Sequence, residues 1–174
     1  MRKLVVITAV AIVAIVAAEI FIPQALGYYV YYPRSAVDEL KHQVATYKVK
    51  VRLAYLAGLV GGCIRASYSS AYAACQLASS GRWGDAVGLL REGSREVSTL
   101  KHLLSRVDKL LGMEGAEDVK PEITALSGKA LAYVEEYEEF VKAFNNTDLG
   151  ACREAISRLK VLRDEAVEIA VRVA

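Results

Sequence analysis

VRLAYLAGLVGGCIRASYSSAYAACQLASSG, running from Val51 to Gly81, is the stretch that decides the fold. It contains no proline, and every fourth residue is small: Ala54, Gly58, Gly62, Ala66, Ser70, Ala74 and Ala78. Residues four apart are neighbours on a helix surface. The spacing therefore predicts one long helix with a smooth groove, along which another backbone approaches closely. Upstream, Ser35 is a helix-capping residue with Asp38 three positions on. No proline interrupts the chain from there until Pro121. The first helix is thus expected from about Ala36 to Ser80, with Gly81 as its stop and Gly61-Gly62 as the place for a bend.

The pattern downstream is that of a bundle. Trp83, Leu90, Val97, Leu104 and Leu111 recur every seven residues, and Ala86, Gly93, Leu100 and Val107 follow three positions behind. Gly112 and Gly115 close this second helix. Pro121 suits the first turn of a third, where its missing N–H costs nothing. The seam of that helix reads Ile123, Leu126, Ala130, Tyr133, Tyr137, Phe140, Phe144. Asn145-Asn146-Thr147-Asp148 breaks it, and Thr147 or Asp148 caps a fourth helix whose seam is Cys152, Leu159, Leu162, Ala166, Ile169 and Val173. Helices joined by short loops fold beside their predecessors. The expected fold is all-α: an N-terminal transmembrane or signal helix in residues 1–32, then an up-and-down antiparallel four-helix bundle with a long first helix in residues 33–174.

Met1-Arg2-Lys3 is a basic start, and Leu4 to Leu26 is apolar apart from Thr8, Glu19 and Gln24. A membrane anchor needs ~20 mostly apolar residues, and at 1.5 Å per residue this run spans roughly 35 Å. A cleaved signal peptide would instead end at Ala25-Leu26-Gly27, just after the helix-breaking Pro23, with Val16-Ala17-Ala18 as a second candidate. Tyr28, Tyr29, Tyr31 and Tyr32 form the kind of cluster that collects where hydrocarbon meets water, which favours the anchor. Both readings put the rest of the chain outside the cytoplasm, as a single-pass membrane protein or a secreted one. Gly58-x-x-x-Gly62 is also a helix-association pattern of bilayer spans. The apolar run around it ends at Arg65, however, and an arginine at mid-bilayer costs at least ~2.5–3.5 kcal/mol. Close packing inside the bundle or against another copy is the expectation.

Apolar residues make up 54% of the 174-residue chain, above the ~45–50% of ordinary soluble domains, and the excess lies near the N-terminus. A formal net charge of only +2 argues against nucleic acid as a partner, since phosphate binding needs clustered cations. Asparagine and glutamine are confined to Gln24, Gln43, Gln76, Asn145 and Asn146. That depletion is a thermophile's composition, an archaeon's included.

Cys63 and Cys75 lie ~18 Å apart along one helix and cannot bond to each other. Cys75, near the end of the first helix, and Cys152, near the start of the fourth, fall at one pole of an up-and-down bundle. A Cys75–Cys152 disulfide is expected, as an extracytoplasmic setting allows; the alternative is two thiols packed in the core. Cys63 is assigned to packing in the groove. His42 and His102 have no neighbour at metal-ligand or catalytic spacing. Glu135 and Glu139 share a helix face, without the Glu-x-x-His pair of carboxylate-bridged metal bundles; a solvated face is the reading. No acid, base or nucleophile set is found, so no enzyme activity, metal or cofactor is expected. Asn145-Asn146-Thr147 is a glycosylation acceptor pattern with Asn145 as its target.

These readings combine into a membrane-anchored, extracytoplasmic bundle that works by contacts with a protein partner or with itself, as an accessory or structural subunit of a cell-envelope or surface-filament assembly. The alternative is a sensor bundle, with Tyr68, Tyr72, Tyr133 and Tyr137 lining a pocket for a small molecule that the sequence does not specify.

Overall fold

Between Arg34 and Val173 the only proline is Pro121, and the chain there is almost continuously helical. The computed structural model describes residues 34–173, which form four α-helices and no strand. They are α1 (Arg34–Ser79), α2 (Trp83–Leu111), α3 (Lys120–Asn145) and α4 (Leu149–Val173). The N-terminal segment, with Tyr28, Tyr29, Tyr31 and Tyr32, lies outside the described residues, as does the anchor or signal reading made for it. Among the described residues no helix is long and apolar enough to cross a membrane. The chain divides into two compact units, Met1–His42 and Gln43–Ala174. In the first, the described side chains from Val37 to His42 are exposed, and Lys41 pairs with Asp38 at 3.4 Å. The second is the bundle.

The helix ends follow from local chemistry. α1 already includes Ser35, so that residue is helical and not the cap expected of it. At its other end Arg82 N–H donates to the Leu77 carbonyl (2.9 Å) and Gly81 N–H to that of Ala78 (3.0 Å). These two bonds make a Schellman stop, which requires the left-handed residue that Gly81 supplies with φ +84°. Pro121 sits in the first turn of α3. Of the two candidate caps for α4 the structure uses Asp148, whose Oδ1 accepts from Ala151 N–H at 3.0 Å. Thr147 turns the chain with φ +57°.

Successive helices run antiparallel. Along α3 and α4, Lys129 meets Glu165 (2.7 Å) and Glu136 meets Arg158 (2.9 Å). Trp83 and Leu90 of α2 face Phe144 and Tyr137 of α3. α1 also packs on α4: Arg163 stacks 4.1 Å from the Tyr68 ring centre, and a methyl placed on Gly61 would lie 3.1 Å from Ala170 Cβ. The Gly61-Gly62 pair therefore marks a close approach within a helix that continues without a break. The α2–α3 connection crosses α1 at Gly115, where φ is +94° and a Cβ would fall 2.6 Å from Thr46 Cα. Lys50 of α1 pairs there with Asp118.

The seam positions expected for α2 and α3 are nearly all buried. Trp83 and Leu111, the end residues of the α2 repeat, are only partly covered. In α4, Leu162, Ile169 and Val173 are likewise partly covered, while Ala155, Ile156 and Ala170 take core positions. An aromatic row runs down α3, with ring centres 6.3 Å apart from Tyr133 to Tyr137, 5.9 Å to Phe140 and 6.0 Å to Phe144, ending on Trp83 at 5.3 Å.

Candidate functional site

The small-residue series of α1 does not stay on one face. A step of four residues advances about 40° beyond a full turn, because the helix repeats every 3.6 residues. Over the length of the series this winds it well past half a turn. Gly58, Gly62 and Ala66 face outward, Ala54 and Ser70 are half-buried, and Ala74 and Ala78 are buried in the core. Nothing lies within 4 Å of where a Gly62 side chain would start. The lower part of the groove is thus open, and only its upper part packs within the bundle.

Below the glycines the outer face of α1 is apolar and uncovered. Val44, Tyr47, Val51 and Tyr55 lie along it, with Tyr47 60% and Tyr55 67% exposed. The inner face is apolar too: Leu53, Leu56, Ala57, Val60 and Ile64 are buried. From Gln43 to Ser79 the helix has no acidic residue.

Beside this face, Arg52 and Tyr55 of α1 and Arg106 and Lys109 of α2 surround a surface cleft of about 440 Å³ floored by Leu56 and Leu110. Three cations and no carboxylate line it, so an anion is the group it would accept.

The four tyrosines expected to line a pocket occupy different environments. Tyr133 and Tyr137 are buried in the aromatic row, Tyr68 is buried beneath Arg163, and Tyr72 is 47% exposed. Ser67, the one buried polar side chain among the described residues, donates to the Cys63 carbonyl at 2.8 Å. A hydroxyl has one proton, so Tyr133 donates to Ser67 Oγ across 3.0 Å. Burial raises the Tyr133 phenol above its ordinary value, and pushes that of Tyr137 up to about 12. The Tyr137 hydroxyl reaches the Leu90 carbonyl at 3.5 Å through the gap left by Gly93. Its ring also borders a cleft of about 430 Å³ between α2 and α3, with Lys101 and Glu138 at the rim.

Cys75 and Cys152 are brought to one pole of the bundle as expected, but the bond expected between them is not formed: both are buried thiols. Burial, and then the nearby Cys75, push the Cys152 thiol up to about 11; burial also raises Cys75. Cys63 is half-buried and, through burial and a hydrogen bond with Glu96 of α2, likewise stands at about 11. An acid whose folded pKa exceeds its unfolded value keeps its proton longer in the native state. Stability is then unaffected below the unfolded pKa, and falls as pH rises towards the folded one. The bundle's melting temperature is therefore expected to be flat near neutrality and to fall from about pH 9 upward, first through the thiols and then through Tyr133 and Tyr137. A pH series of circular-dichroism melts checks this, and a flat profile to about pH 12 would refute it.

The acidic run of α3 is shared among cations. Glu138 pairs with Lys101 (2.6 Å), Glu139 with Lys142 (2.6 Å), and Glu136 lies 2.9 Å from Arg158 Nε. The inner oxygen of Glu136 has that charge beside it but no aligned hydrogen-bond donor. Glu135 is exposed. No three ligating side chains converge on a metal position among the described residues. His42 and His102 are exposed, and Asn145 is the exposed last residue of α3.

The open outer face of α1 was not legible as such in the sequence; the signal for it was a helix apolar on two sides. No protein-family model matches the chain, no curated protein matches it, and no solved structure matches it.

Proposed function

We propose that this chain is a membrane-anchored protein whose helical bundle stands outside the cytoplasm and works by protein–protein contact, as an accessory or structural subunit of a cell-envelope or surface-filament assembly. The observation that carries this reading is the outer face of α1. Contiguous exposed apolar surface marks an interaction site, and here it occupies the helix that follows directly on the N-terminal segment. Leu4 to Leu26 is long enough to span a bilayer, and the basic residues are at its start. The bundle offers partners shape and apolar area.

Fractionation and labelling of intact cells test this. The full chain is expected to stay with membranes through an alkaline carbonate wash. A cysteine introduced at exposed Ser98 is expected to react with a membrane-impermeant maleimide without permeabilisation. Recovery in the soluble cytosolic fraction, or labelling only after lysis, would overturn the proposal. Mass spectrometry of the native N-terminus separates the anchored from the secreted form: a start at Met1 or Arg2 marks the anchor, a start at Tyr28 the cleaved signal.

A further inference from the structure

A helix in a four-helix bundle buries one apolar stripe and shows water a polar face. α2, α3 and α4 do so, whereas α1 has an apolar stripe on each side. The bundle covers the inner stripe, while the outer stripe at Val44, Tyr47, Val51 and Tyr55 is exposed and has no cover among the described residues. Its spacing says what kind. Val44, Tyr47 and Val51 step by three and four, and the same register continues upstream in the sequence at Leu40 and Val37, both exposed. In a heptad this places Val37, Val44 and Val51 at a, and Leu40, Tyr47 and Ala54 at d. In parallel two-stranded coils β-branched residues at a go with Leu at d, and here Leu40 holds one of the three d positions.

The flanking charges agree. In a parallel pair, g of one helix meets the following e of the other. Here those pairs are Gln43 with Lys48 and Lys50 with Tyr55, none of them like-charged, and Lys50 is already held by Asp118. An antiparallel pair would instead set e against e and g against g, lysine against lysine. Above Tyr55, exposed Gly58 and Gly62 leave room for a neighbouring backbone to continue alongside.

We propose that a second copy of this chain occupies this face, with the two α1 helices parallel and in register along Val44 to Tyr55. The proposal rests on the anchored reading in one respect: anchors in one bilayer hold copies in the same orientation, which a parallel pair requires. The competing occupant is the chain's own Leu4–Leu26 run folded back over the face, which would leave a monomer.

The test uses the full chain in a non-ionic detergent. Sedimentation is expected to give the mass of two chains for the wild type. The double variant Val44→Glu/Val51→Glu should give the mass of one, its dimer weakened at least about tenfold per buried charge. Its helix content by circular dichroism should be unchanged, since both sites are exposed in the monomer. Under mild oxidation Val44→Cys is expected to form a covalent dimer well in excess of wild type and of Ala45→Cys, which lies off the seam. A one-chain wild type, a double variant that stays dimeric, or equal cross-linking at Val44 and Ala45 would each overturn the pairing. A membrane-bound monomer refutes the pairing and leaves the anchored reading standing. A cytosolic dimer does the reverse.

Discussion

Gly93→Ala is expected to destabilise the bundle, although alanine is the better helix former by about 1 kcal/mol. Gly93 is buried on α2 where α1 and α3 both press on it. A methyl there would overlap the Tyr137 hydroxyl oxygen and stand 3.2 Å from Ser70 Cβ and 3.3 Å from the Ser67 carbonyl oxygen. The hydroxyl has no easy retreat, because the Tyr137 ring is 2% exposed and held between Tyr133 and Phe140. Overpacking of this kind costs about 1–3 kcal/mol beyond what the propensity returns, and at this chain length each kcal/mol lowers the melting temperature by about 2–4 °C. Removing the oxygen identifies the cause. In a Tyr137→Phe background the loss from Gly93→Ala should shrink by at least half, a coupling visible in a double-mutant cycle of urea melts. An unshrunken loss would mean that the serines of α1 set the limit; no loss at all would mean that Tyr137 is free to move.

Phe140→Ala is expected to cost more, about 3–5 kcal/mol, out of a total that for domains of this kind is about 5–15 kcal/mol. Phe140 is fully buried at the middle of the aromatic row, its ring centre 5.9 Å from that of Tyr137 and 6.0 Å from that of Phe144. Truncation removes a ring and leaves a cavity that rigid aromatic neighbours cannot refill. Val161→Ala serves as the control: Val161 is apolar but 57% exposed on α4, so its change should stay within about 0.5 kcal/mol. Denaturant midpoints of the two variants decide the matter. A loss below about 1.5 kcal/mol for Phe140→Ala would show that the row is loosely packed.

The two sites differ in how far the sequence revealed them. Phe140 belongs to a seam that reads directly from the spacing Ile123, Leu126, Ala130, Tyr133, Tyr137, Phe140, Phe144, every member of which is buried. Gly93 falls in a heptad series and reads as a gap; that the gap holds a tyrosine hydroxyl from a helix more than forty residues away is a fact of packing. Gly81 was legible as a stop and Thr147 or Asp148 as a cap because those roles are local, set by a side chain or a backbone angle within one turn of the helix; the structure chose Asp148.

α1 shows where that legibility ends. Its small residues every fourth position suggested one face, but the helical repeat winds them from open surface at Gly58 and Gly62 to the core at Ala74 and Ala78. Cys75 and Cys152 were placed at the same pole by helix order alone, while the bond between them was not decided by that order and is not formed. By itself the sequence determined the helices, the stop of α1 at Gly81, the seams of α2 and α3 and the antiparallel order, because periodicity, caps and short loops act within one helix or between chain neighbours. Only the tertiary structure decided which of α1's two apolar sides faces inward and that the other is left open. A helix with apolar residues on both sides carries no sign in its own sequence of which one its neighbours will cover.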